Sequence, residues 1–163
     1  MSESVHSRFR TLMGRFVTSV TVIAVADESV PSGVAAMTAS SVTSVSLSPL
    51  LLLFCVRNES TMLERLKRMP SFSVNVLASH QDTISRYYAG QRHMGVAGEW
   101  EVTDLNTPVL YGANASFLCR TASLQEVGDH HVVVGEVVEM LSLDPPEPAL
   151  IYAAGQYMGV ALA

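Results

Sequence analysis

Lysine occurs once in this chain of 163 residues, as Lys67, and the ten basic side chains are scattered along it. The net charge is −5. With no basic tract, neither nucleic acid nor an anionic membrane is an expected partner. No apolar run approaches the ~18 residues of a membrane-spanning helix. The opening MSESVHSRFR lacks the apolar segment of a secretion signal. Only two cysteines are present, Cys55 and Cys119, each inside an apolar, strand-like run. They are expected as buried free thiols, not as a disulfide. These absences together predict a cytoplasmic globular protein.

The familiar catalytic signatures are missing too. No G-x-G-x-x-G follows a strand, and there is no Walker A lysine. No C-x-x-C pair and no G-x-S-x-G nucleophile elbow occur. His130 and His131 are neighbours in a predicted strand, so their side chains point to opposite faces and do not readily share a metal. Any chemistry is therefore expected from a bound cofactor rather than from a protein nucleophile or a metal.

What is abundant is apolar surface. Apolar residues make up 48% of the chain and charged residues 15%. The chain fits one domain over 1–163, with no internal repeat or linker. The low charge leaves apolar surface to hide, and a homodimer is expected.

The periodicities read as many short strands with a few helices. VHSRFRTLMGRF and STMLERLKRMP read as helices, the second with Thr61 and Glu64 as a capping box and Pro70 as its stop. HQDTISRYYAG reads as a third helix ending at Gly90. FVTSVTVIAVA, SFSVNVLA, VLYGA, SFLCRTASLQEV and HHVVVGEVVEML read as strands. LLLLFCV is uniformly apolar, as expected of a strand buried on both faces. QRHMGVAGEWEVTDLNTP reads as loop, DPPEP as a rigid turn and ALIYAAGQYMGV as a closing hairpin. The absence of regular strand–helix alternation disfavours a doubly wound parallel sheet and favours a closed or nearly closed barrel.

One stretch is unusual. GVAAMTASSVTSVSLSP places a run of small hydroxyl residues directly before the apolar LLLLFCV. Small residues let a ligand approach the backbone, and their hydroxyls can bond a flat or phosphorylated molecule. Ser60 and Thr61 then open a helix, whose free N–H groups and partial positive charge suit a phosphate. Arg57 is a nearby counter-charge. Taken singly, each feature has a structural reading: an edge strand, a helix cap and a solvated arginine.

In order, FRTLMGRFVTSVTVIAV, MTASSVTSVSLSPLLLLFCV, STMLERL, FSVNVLA and GDHHVVVGEV resemble the flavin reductase-like family over roughly Phe9 to Tyr157. That family includes the reductase components of two-component flavin-dependent monooxygenases. The resemblance implies a mostly β fold with short helices, a Greek-key-like, closed, FMN-binding split β-barrel, and a homodimer with its flavin sites near the subunit interface. It implies FMN or FAD as flavin, NADH or NADPH as reductant, and a partner monooxygenase that receives diffusible reduced flavin. Flavin-binding positions carry over to Met37, Thr38, Ala39, Ser40, Ser41, Cys55, Val56, Arg57, Ser60, Thr61, Tyr88 and Ala89. Nicotinamide-binding positions carry over to His130 and Tyr157. Hydride transfer needs positioning and no catalytic side chain.

Three positions depart from the family pattern. Ser19 stands where glycine is usual, Ser48 where an acidic residue is usual, and Ala154 where an arginine is usual. The last departure motivates an alternative reading, a flavin- or tetrapyrrole-binding split-barrel module without reductase activity. A pyridoxal-type oxidase is disfavoured by the scarcity of cationic phosphate ligands.

Overall fold

The computed structural model describes residues 4–162; residues 1–3, part of the stretch read as lacking a secretion signal, and residue 163 lie outside them. The helices are α1 (Val5–Met13), α2 (Thr61–Arg68) and α3 (Asp82–Tyr88). The strands are β1 (Thr18–Ser19), β2 (Thr21–Ala26), β3 (Val34–Ala39), β4 (Thr43–Leu47), β5 (Leu50–Arg57) and β6 (Ser71–Val76). They continue with β7 (Trp100–Val102), β8 (Pro108–Leu110), β9 (Ala115–Val127), β10 (His130–Ser142), β11 (Ala149–Ala153) and β12 (Gln156–Val160). Among the described residues, no helix is long and apolar enough to cross a membrane.

The protein is mostly β, as expected. Seven strands form an antiparallel sheet in the order β3-β2-β6-β9-β10-β5-β4, with a three-stranded sheet β1-β11-β12 and the small pair β7-β8. The predicted strand FVTSVTVIAVA divides at Val20. Its carbonyl accepts from Leu77 and its amide donates to Leu150, while β1 pairs with β11 and β2 pairs with β3 and β6. Val20 is thus the crossover between two sheets, a tertiary feature that a β-branched run does not reveal.

The main core lies between the seven-stranded sheet and α2. Phe54 and Phe72 meet edge to face with centroids 5.3 Å apart, and both are fully buried. Met62, Leu63 and Leu66 of α2 close this core from one side. A second cluster joins Val20, Val22, Leu77, Ile84, Leu110 and Leu150. It fixes α3 against β2 and the end of β6.

Four local expectations are corrected. β5 is not buried on both faces: Leu52, Phe54 and Val56 are buried, while Leu51, Leu53 and Cys55 on the other face are half-exposed. A uniformly apolar strand is covered by its own chain on only one side. Cys55 is therefore half-buried, whereas Cys119 is buried and its thiol pushed up to about 12 by desolvation. The cap of α2 is Ser60, not Thr61. Ser60 is still extended, and its hydroxyl accepts from the Met62 amide at 3.2 Å. Finally, the segment 91–108 read as loop holds a short helical turn, Arg92–Met94, and strand β7. Trp100 anchors it by donating to the Tyr88 hydroxyl at 2.9 Å and the Ala97 carbonyl at 3.1 Å.

Candidate functional site

At one end of the sheet, β3, β5 and β10 converge with the ends of α2 and α3 around a cavity of about 320 Å³. β3 contributes Met37 and Thr38, and β5 contributes Cys55, Val56 and Arg57. Ser60, the cap of α2, lies at the rim, with Tyr88 and Ala89 from the end of α3. His130 opens β10 directly opposite Arg57 in the antiparallel ladder. The volume is at the lower end of the roughly 300–1,000 Å³ of small-molecule sites.

Hydrogen bonds fix the walls. The Thr38 hydroxyl donates to the Ser85 carbonyl at 2.6 Å, so β3 is tied to the middle of α3. The Ser85 hydroxyl in turn lies 2.8 Å from the Tyr157 hydroxyl. The Tyr88 hydroxyl donates to the Ala97 carbonyl at 2.7 Å and accepts from Trp100. Burial pushes this phenol above its ordinary range, against the opposing effect of the Trp100 hydrogen bond. Tyr88 is thus neutral at ordinary pH, with its hydroxyl both donating and accepting.

The electrostatics are asymmetric. The Arg57 guanidinium is 3.8 Å from Glu59, and both side chains are largely exposed. That is a weak pair, which leaves the guanidinium free to meet an anion. The α2 N-terminus adds partial positive charge at Ser60. On the adjacent strand, next to Arg57, His130 Nδ1 lies 2.7 Å from Asp129 Oδ1. An ionised carboxylate only accepts, so Nδ1 carries a proton, and whenever the ring is neutral Nε2 is its acceptor. The hydrogen bond from His130 holds the Asp129 carboxyl below its usual range. Asp129, in the turn before β10, thus fixes Nδ1 of His130 as the protonated nitrogen.

Other expected site residues lie elsewhere. Ala39 is buried in the main core, and Ser40 is exposed. The Ser41 hydroxyl accepts from the Cys55 amide at 2.9 Å, joining the end of β3 to β5. Thr61 lines a neighbouring cleft of about 400 Å³ that shares Tyr88 with the first cavity. Tyr157 lines a third cavity of about 420 Å³, beneath the Arg86 guanidinium 4.8 Å from its ring centre. Within one chain, His130 and Tyr157 therefore face different cavities.

The sequence reading missed several residues here. Tyr87 and Arg92 line the neighbouring cleft, with the Arg92 guanidinium 5.4 Å from the Tyr87 ring centre. Arg65 lines it too, held by the buried Asp27 at 2.5 Å. Ser85 is fully buried yet polar on both its carbonyl and its hydroxyl. Its one sequence signal is position: it lies three residues before Tyr88, on the same helix face.

The residues present suit a flavin. Small side chains and strand ends leave room for a flat ring, and the helix cap with Arg57 offers an end for its phosphate. Comparison with known proteins agrees. Residues 13–161 match the model of the flavin reductase like domain family. The reductase subunit HsaB of a flavin-dependent monooxygenase from Rhodococcus jostii is 36% identical over 154 residues, covering 94% of this chain and 77% of the relative. An NADH-dependent FAD reductase of Streptomyces globisporus is 34% identical over 156 residues, covering 92% of this chain and 83% of the relative. Among solved structures, flavin reductase PheA2 in its native state superposes with a TM-score of 0.87 at 31% identity, covering 98% of this chain and all of that one. With the family model matched over most of the sequence, the chain belongs to the flavin reductase like domain family.

Proposed function

We propose that this chain is an NAD(P)H-dependent flavin reductase that supplies reduced FMN or FAD to a partner flavin-dependent monooxygenase. The observation that carries this reading is the convergence of Thr38, Cys55, Arg57, Ser60, Tyr88, Ala89 and His130 on one cavity. When bound, the flavin accepts at N5 the hydride that leaves C4 of the reduced nicotinamide, and it keeps both electrons. The protein supplies position. Met37, Thr38, Cys55, Val56 and Ala89 wall the isoalloxazine, and Ser60, Thr61 and Arg57 take the phosphate. The neighbouring cleft prolongs this end and adds Arg92 as a further cation. His130 Nε2 accepts from the nicotinamide carboxamide. No general base is required, because hydride transfer at near-attack distance is an orientation effect.

The same reading includes a single domain over 1–163, closed as a split barrel. The Ser41–Cys55 hydrogen bond supports closure, since it joins the β3 end of the sheet to β5. It also includes a homodimer. The half-exposed outer face of β5 and β10, with Leu51, Leu53, Val132 and Val134, runs into the cavity at Cys55. A second copy on that apolar strip would wall the flavin site.

The test is oxidation of NADH, then NADPH, by purified protein with FMN and FAD titrated in. Saturable turnover that rises with free flavin supports a reductase with a diffusible product. Flavin binding without turnover favours the binding-module alternative, and Ala154→Arg is then the first variant to assay.

A further inference from the structure

Asn58 occupies the turn between β5 and α2, one residue beyond Arg57, and does not line the flavin cavity. It nevertheless makes four hydrogen bonds to the β9–β10 hairpin. Its backbone amide donates to the Asp129 carbonyl at 3.0 Å. Its side-chain amide donates to Glu126 Oε1 at 3.0 Å and to the Gly128 carbonyl at 3.2 Å. Both of those partners only accept when Glu126 is ionised, which fixes which atom of the amide is nitrogen. Oδ1 then accepts from His131 Nδ1 at 2.7 Å.

One side chain thus grips the hairpin on both strands and at its turn. Outside its own hairpin, the Gly128–Asp129 turn is tied to the body by Asn58 and by the ladder pairing of His130 with Arg57. Gly128 has φ +63° and nothing within 4 Å of where a side chain would begin. The Asp129–His130 pair cannot anchor the imidazole to the body of the protein, because both residues ride on the same tip. His131 is one of the two strand contacts that Asn58 uses.

We propose that Asn58 is a positioning residue for the reduced nicotinamide substrate. It holds the β9–β10 tip so that His130 presents Nε2 to the cavity. This rests on the nicotinamide role given to His130 above. Asn58 touches neither substrate. It acts through the hairpin, so its removal raises KM for NADH and leaves kcat and flavin affinity in place.

The experiment compares Asn58→Ala, Asn58→Asp, His130→Ala and the Asn58→Ala/His130→Ala double variant. Each is assayed for KM and kcat with NADH, for flavin Kd by fluorescence quenching, and for amide hydrogen exchange at the hairpin tip. Asn58→Asp preserves size and the acceptor toward His131, but it cannot donate and it sets a second carboxylate against Glu126. It also serves where the alanine variant folds poorly. The expected result is a roughly tenfold rise in KM for both Asn58 variants, with kcat and flavin Kd within about twofold. Exchange at Gly128 and His130 becomes faster. In the double variant, Asn58→Ala adds nothing to His130→Ala, because it acts only through that residue.

Three outcomes overturn the proposal. If His130→Ala raises KM but the Asn58 variants do not, Asn58 is not the hold. Full additivity in the double variant means that Asn58 acts by another route. If His130→Ala itself leaves KM unchanged, the nicotinamide role of His130 fails and the proposal falls with it, and the single variant identifies that case.

Discussion

Ser60→Asp separates the two roles assigned to Ser60. Aspartate and serine are comparable helix N-caps, and either can accept from the Met62 amide. A carboxylate at that end is also favoured by the helix dipole. The variant should therefore fold as well as the parent, whereas Ser60→Ala loses about 1 kcal/mol of capping. Ligand binding should behave oppositely. Two unit charges about 4 Å apart repel by roughly 1 kcal/mol in water and roughly 4 kcal/mol at an effective dielectric of about 20. Ser60 is half-buried, so the value falls between these limits. Kd for FMN should rise between about fivefold and several-hundredfold. Riboflavin, which lacks the phosphate, should bind Ser60→Asp and parent alike. Fluorescence titration of both ligands, with a thermal melt of each protein, makes the comparison. A folded Ser60→Asp that binds FMN as tightly as the parent would refute a phosphate at the α2 N-terminus.

Three further predictions concern the frame. A Cβ at Gly135 would lie 2.5 Å from the ring of the fully buried Phe72 and 3.0 Å from Cys119 Cβ, so Gly135→Ala should cost about 1–3 kcal/mol in urea unfolding; an unchanged midpoint would contradict this packing. Ala154 has φ +49° and Gly155 φ +80° in the two-residue turn between β11 and β12, so Ala154→Asn should stabilise by up to about 1 kcal/mol, read as a higher Tm. Hydrogen bonds from Ser29 and then Arg65 hold the Asp27 carboxyl down at about 2, against an ordinary 3.8. A depressed native pKa contributes stability above the unfolded value and loses it as pH falls from about 4 to about 2. Asp27→Asn should lower stability at neutral pH and flatten the acid limb of an unfolding-versus-pH curve.

Much of this was legible in the residues. Period and punctuation located α2 and α3, the strands β2, β5, β6, β9 and β10 and the closing hairpin, because each is long enough for its pattern to register. Of the small-hydroxyl run only Thr38 lines the cavity, joined there by Ser60 of the helix start and His130 of the GDH segment, while Ser40, Ser41 and Thr61 do not. What escaped depends on contacts between distant segments. β7 has three residues, too few for an alternation, and its strand state comes from pairing with β8. Ser85 and Asn58 are ordinary polar residues in sequence, and only the fold brings Thr38 to one and the β9–β10 tip to the other. The apolar run of β5 shows that the strand needs cover on both faces. It does not distinguish cover by the same chain from cover by a second one.

The proposed flavin site is the cavity between Ser60 and His130. A crystal structure of the protein with FMN tests it most directly. The account predicts the isoalloxazine against Thr38, Cys55 and Ala89, with the phosphate at Ser60 and Thr61. A flavin found instead in the cavity beside Arg86 and Tyr157 would contradict it.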